Sequence, residues 1–198
     1  MKPFQRLVVL LTLVAMGLAS PCLALAQQSK NEIAVGYAWE DDGRFKYPIG
    51  WTASAVTYLT SWLGLVGEAD GNYHRDHIPD LPEFTYRGQA FTVNFHTFAG
   101  GLRGRAMLSP VVSVFGQVLL GTQRWAGDPV EPFGWSQWSF LVQPGGGVSI
   151  KVSRRADVRF SVDIPLIREE VFTSQGGHTF LRMTRIGVGF ALGFGERR

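Results

Sequence analysis

The sequence predicts an all-β protein: an eight-stranded, antiparallel, up-and-down transmembrane β-barrel with short periplasmic turns and longer extracellular loops. Three observations predict it. Eight successive runs alternate at period 2, short and long connections alternate strictly between them, and one face of the runs is apolar while the other carries Gly, Ala and a few charges of both signs.

Residues 1–26 are set apart as a cleaved secretory leader. Lys2 and Arg6 form a positive start, Leu7 to Leu18 an apolar segment, and Ala24-Leu25-Ala26 a small-residue cleavage site. The apolar segment is shorter than the roughly 20 residues of a spanning helix. The remainder, 27–198, reads as one barrel domain. Cys22, the single cysteine of the chain, falls in the leader, so no disulfide is expected. Removing Lys2 and Arg6 takes the formal charge from +3 to +1, which argues against nucleic acid as a partner.

The runs follow in order. In Glu32 to Glu40, Ile33, Val35, Tyr37 and Trp39 alternate with Ala34, Gly36 and Ala38. Ile49 to Leu59 alternates poorly. Trp62 to Asn72 sets Leu63, Leu65 and Ala69 against Val66, Glu68 and Asp70. Gln89 to Gly101 sets Phe91, Val93 and Phe95 against Thr92, Asn94 and His96, with His96 assigned inward. Val112 to Leu120 opposes its valines to Ser113, Phe115 and Gln117. Trp138 to Lys151 opposes Phe140, Val148 and Ile150 to Ser139, Gln143, Ser149 and Lys151. In Asp157 to Ile164, Val158, Phe160 and Val162 oppose Asp157, Arg159, Ser161 and Asp163. Ile186 to Phe194 closes the series with Ile, Val, Phe, Leu and Phe on one face and only Gly and Ala on the other.

The short connections are Thr60-Ser61, Arg103 to Ser109 and Ser153 to Ala156; the long ones are Asp41 to Pro48, Tyr73 to Arg87, Arg124 to Gln137 and Glu169 to His178. In a meander this puts every long loop at one end. A soluble lipocalin-like barrel would turn its apolar face inward. It would then show water the bare face Gly187, Gly189, Ala191 and Gly193, unlike a charged soluble surface. The apolar face is therefore assigned to lipid. Aromatics near run ends (Tyr37, Trp39, Tyr47, Trp51, Tyr58, Trp62, Trp125, Trp135 and Trp138) are expected in interfacial girdles. Glu68, Asp70, His96, Lys151, Arg159, Asp163 and Arg185 are expected to form a charge network in the lumen, since a buried charge requires a partner.

Three stretches resemble the small OmpA/OmpX-like outer-membrane β-barrels (porin-family, or outer-membrane β-barrel domain proteins). They are GWTASAVTYLTSWLGLVGEADGNYH, GGGVSIKVSRRADVRFSVDIPLI and the C-terminal strand. The resemblance implies residence in the cell outer membrane of a Gram-negative envelope. It also implies an assembly signal at Arg185, Gly187, Phe190, Leu192 and Phe194, read by the barrel assembly machinery. The expected function is structural or interactive: surface loops that serve envelope integrity or adhesion, in a monomer without cofactor or metal. Arg44, Lys46, Arg75, Arg87, Arg124 and Arg168 are assigned to the loops, where they meet lipopolysaccharide phosphates. A narrow porin-like channel, a lipid-modifying enzyme and a periplasmic lipocalin-like binder are the alternatives. For the enzyme, Ser113 and His96 are the candidates by elimination. The segment Tyr73-His74-Arg75-Asp76-His77 is read as a solvated outer loop rather than a metal site.

Overall fold

A computed structural model describes residues 29–43, 46–77, 90–128, 135–171 and 177–196. The leader and two of the predicted loop cations, Arg44 and Arg87, lie outside the described residues. Eleven strand segments follow in chain order: β1 (Ser29–Asp41), β2 (Lys46–Tyr47), β3 (Ile49–Tyr58), β4 (Leu63–His77), β5 (Ala90–Met107), β6 (Val112–Asp128), β7 (Trp135–Lys151), β8 (Ala156–Asp163), β9 (Leu166–Val171), β10 (Gly177–Arg182) and β11 (Thr184–Glu196). Three breaks divide staves of the barrel, at Pro48, at Ile164-Pro165 and at Met183. The eleven segments thus make eight staves.

All pairings are antiparallel, and each stave pairs with its sequence neighbours. The ring closes where β1 meets β11, from Ser29↔Glu196 to Asp41↔Thr184. Near Pro144, which has no N–H to give a ladder, β7 changes partner. Gly145 to Lys151 pair with β8, whereas Leu141 and Val142 pair with β9. The Pro144 carbonyl accepts the Ile164 amide at 2.8 Å and the Pro165 carbonyl accepts the Met183 amide at 2.9 Å, so the irregular stretch keeps its polar groups paired.

The three short turns share one construction. Thr60, Ser109 and Ser153 each accept two downstream amides on the side-chain oxygen. For Ser153 the donors are Arg155 and Ala156, at 3.3 and 3.1 Å. The backbone closes each turn in the same way, as with Val152 N to Ala156 O at 2.9 Å. These hydroxyls compete for backbone amides where the ladder ends. The sequences LTSWL, LSPVV and VSRRA carry that shared Ser/Thr position.

The outer wall is the apolar face. Val35, Phe190 and Leu192 are 59, 61 and 57 % exposed, while their inward neighbours Ala34 and Ala191 are 9 and 1 % exposed. β5 is the exception to the predicted facing: Phe95 is buried in the barrel with Tyr47, Leu141, Ile167 and Met183. His96 therefore points outward, and Phe98 and Leu102 continue the lipid face. Three expected girdle aromatics also turn inward. Tyr47 and Tyr58 are buried, and Trp125 packs against Phe95 with ring centroids 5.0 Å apart. The side chain of Trp135 lies outside the described residues. Tyr73 to His77 belong to β4, so the predicted outer loop is barrel wall, with His74 turned inward against Tyr47 at 5.6 Å.

The bare inner face of the closing strand has a steric cause. Gly36 and Gly189 face each other across the seam. A Cβ on Gly36 would lie 2.5 Å from the Val188 carbonyl oxygen, and one on Gly189 2.4 Å from that of Val35. Both obstacles are main chain, which cannot move aside without opening the ladder. G189V is expected to destabilise the barrel by about 1–3 kcal/mol, the usual range for overpacking. G67V, where a Cβ meets nothing within 4 Å, should stay within about 0.5 kcal/mol. Urea titration of the folded band on unheated gels compares the two, and equal losses would contradict the seam argument.

Candidate functional site: the filled lumen and its outer rim

Period-2 alternation aims every second side chain of all eight staves into one lumen. At mid-height Arg185 on β11 is 3 % exposed and pairs with Glu68, Asp70 and Asp163, the last at 3.0 Å. Gln143 Nε2 donates to Glu68 at 2.9 Å, and Gln117 Nε2 to Asp163 at 3.0 Å. Nearer the short turns, Arg103 donates from Nε and Nη2 to Gln117 Oε1 at 2.8 and 2.5 Å, and reaches Glu32 at 3.5 Å. Arg159 shares Glu32 with it and donates from Nε to Ser149 Oγ at 3.2 Å. The guanidinium carbons of Arg103 and Arg159 lie 4.7 and 4.9 Å from the Phe115 ring centroid, a cation–π arrangement. Planar guanidinium groups suit this crowded space because each serves several acceptors at once.

Of the residues predicted for the network, the structure brings Glu68, Asp70, Asp163 and Arg185 into direct contact. Arg159 joins through Glu32. Lys151 is inward but sits at the short-turn mouth, opposite Asp157. His96 is outside the barrel, its Nε2 3.2 Å from the Tyr73 hydroxyl. Alternation had been phased from Thr92 and Asn94 rather than from the burial of Phe95. Three members went unpredicted: Glu32, Arg103 and Glu40. Arg103 was assigned to a turn, but β5 runs on to Met107. Continuing the phase of Phe95 through Thr97, Ala99 and Gly101 leads to it.

Glu40, 1 % exposed, accepts Asn72 Nδ2 at 2.9 Å. Asn72 reaches it across Gly50, whose absent side chain is required: a Cβ there would lie 1.8 Å from Asn72 Oδ1. Above this layer Tyr47, Phe95, Leu141, Ile167 and Met183 form an apolar plug. The cavity beside Arg185 and Gly187 is about 30 Å³, room for about one water molecule. The lumen is packed, not open.

On the outer wall, Lys46, Arg75, Arg124 and Arg168 are exposed on strand segments β2, β4, β6 and β9, a correction to their placement on loops. Beside and below them lie Trp51, Tyr73, His96 and Trp138; Trp51 Nε1 donates to the Tyr73 hydroxyl at 3.3 Å, and Arg124 is level with His96 and Trp138, its register partners. Ser113 and His96 are on opposite faces of the wall, so the pair singled out for enzyme chemistry is not brought together. Among the assembly-signal residues, Arg185 and Gly187 face inward, while Phe190, Leu192 and Phe194 face out.

The same fold is found in Ail, the attachment invasion locus protein of Yersinia pestis, solved in complex with the heparin analogue sucrose octasulfate. The TM-score is 0.55 at 12 % identity, over 84 % of this chain and 99 % of that one. Neisserial surface protein A matches with a TM-score of 0.59 at 12 % identity, over 83 % of this chain and 96 % of that one. The sequence matches no family model and no curated protein. The chain has the fold of the small outer-membrane β-barrels, and its outer wall is the apolar surface of a barrel that faces lipid.

Removing the Arg185 guanidinium would leave three buried carboxylates without their shared cation. R185M is expected to destabilise the barrel by about 3–5 kcal/mol at neutral pH. The loss should shrink on acidification, because a neutral carboxyl is less costly to bury. E40Q removes a buried charge that has no cation of its own within ion-pair distance among the described residues, and should be neutral or stabilising. Urea titrations of both variants at two pH values check the pair; an R185M barrel as stable as the parent would overturn the assignment.

Proposed function

We propose that this barrel is a structural and interaction protein of the outer membrane, which works through its outer rim and extracellular loops rather than through its lumen. The observation that carries this reading is the filled interior, where an ion-paired layer lies beneath an apolar plug. A body filled in this way is poorly suited to transport through its lumen, and what it offers to other molecules is its outward surface.

The partner we propose at that surface is lipopolysaccharide. Lys46, Arg75, Arg124 and Arg168 project outward at the long-loop end, among and above the aromatic residues. Guanidinium groups pair with phosphate in two-pronged fashion, and the neighbouring aromatic residues fix their height at the interface. During insertion, Phe190, Leu192 and Phe194 on the closing strand would be the residues presented to the assembly machinery. Adhesion enters the proposal by analogy with Ail, an attachment protein by name; the loops would serve it from the same anchored end.

The quadruple variant K46Q/R75Q/R124Q/R168Q should fold normally and bind lipopolysaccharide at least tenfold more weakly. This is a conservative figure for four cations worth about 1 kcal/mol each near an anionic surface. Unchanged binding would reject the partner. In planar bilayers the parent protein should give at most small, narrow conductance, and large stable channels would favour the pore alternative instead.

A further inference from the structure

The mouth at the short-turn end carries a second concentration of charge. Among the described residues, Arg105, Lys151, Arg154, Arg155 and Arg159 line one cavity of about 50 Å³, together with two carboxylates, Glu32 and Asp157. Five cations against two anions leave a formal excess of +3. Among the described residues, no carboxylate lies within ion-pair distance of Lys151, Arg154 or Arg155.

The cations are held in place. The Arg105 guanidinium lies 3.4 Å from the Tyr58 ring centroid and donates to the Ser29 and Ser61 carbonyls at 3.1 and 3.3 Å. The Arg155 carbonyl accepts the Gly193 amide at 2.8 Å, which ties the basic turn to the closing strand. Arg159 supplies an independent sign of a missing partner. It is 8 % exposed, its Nε and Nη2 are engaged by Ser149 and Glu32, and its buried Nη1 has no acceptor among the described residues. A buried guanidinium N–H without an acceptor is costly, and an anion in the adjoining cavity would satisfy it.

We propose that this mouth is a binding site for a phosphate-class oxyanion. Charge selects phosphate over carboxylate: a phosphate monoester brings about two negative charges at neutral pH, against one for a carboxylate, toward an excess of three. Guanidinium forks and the Ser113 and Ser149 hydroxyls that also line the cavity supply the donors that phosphate oxygens accept. The phosphate has two sources, a phosphorylated solute on the short-turn side or the headgroup of a lipid in the adjoining leaflet, which Arg154 and Arg155 on the rim are placed to meet.

The test uses the 27–198 barrel in dodecyl maltoside, a phosphate-free detergent, with inorganic phosphate titrated at constant ionic strength and followed by calorimetry. Saturable one-to-one binding is expected. K151Q/R155Q, which leaves the buried ion pairs intact, should weaken it at least tenfold, and K46Q/R75Q at the opposite end should not change it. Competition by short-chain phosphatidylglycerol would support the site with lipid as its source; binding without competition would support it with a solute. Absence of saturable binding, or equal weakening by K46Q/R75Q, would overturn the proposal.

Discussion

Everything in this molecule follows from the need to pair every backbone amide and carbonyl where no water reaches them. In hydrocarbon an unpaired peptide group costs several kcal/mol, so a sheet can cross only if its two edges meet. The β1–β11 ladder is that meeting, and it determines the chemistry of the strands that form it. Over the middle of the seam their inner faces are reduced to Ala34, Gly36 and Ala38 on one side and Gly187, Gly189 and Ala191 on the other, and at Gly36 and Gly189 the backbones approach too closely for anything larger. Their outer faces remain fully apolar.

Closure with eight staves then sets the size of the interior, which is wide enough for side chains and little else. The bare seam leaves room that long side chains from other staves occupy. Arg103 and Arg159 converge on Phe115, and Arg185 crosses to Glu68, Asp70 and Asp163. Such pairs are poor sources of net stability, since desolvation offsets most of their attraction. Their contribution is to fill the lumen with groups that specify one register, because a slip by one residue would send each of these charges into lipid.

The legible part of the fold was the part governed by strict alternation. The last four staves show lipid-facing Val, Phe and Ile against Ser, Gln, Asp and Gly, and their facings can be read from residues 112–120, 138–151, 157–164 and 186–194. Legibility failed where both faces mix apolar and polar groups. Above the hydrocarbon the outer wall meets headgroups, so Asn94 and His96 lie outside while Phe95 lies within, reversing the usual cue. Tyr47, Tyr58 and Trp125 misled for a related reason, since an aromatic near a strand end suits a girdle or a plug equally well. Arg103 falls in the stretch expected as a short connection, although its alternation with Phe95 is unbroken along β5. The shared Ser/Thr position of the three short turns was present in the sequence and becomes visible once the hydrogen bonds align those segments.

The seam also divides the chain's contacts by origin. Every other stave neighbour is a hairpin partner, and at the short-turn end those hairpins are clasped by Thr60, Ser109 and Ser153 within a few residues. The seam alone joins strands from opposite ends of the chain, Ser29 to Glu196. Local pairings form early because little loop entropy opposes them, while the terminal pairing must wait for the whole chain to curl. The last species before completion is therefore an open sheet with two free edges, each lined inside by Gly and Ala over its middle. Each such edge presents a row of unpaired amides and carbonyls, which can recruit foreign strands. The same smallness that lets the barrel close makes its penultimate state the one most in need of an escort.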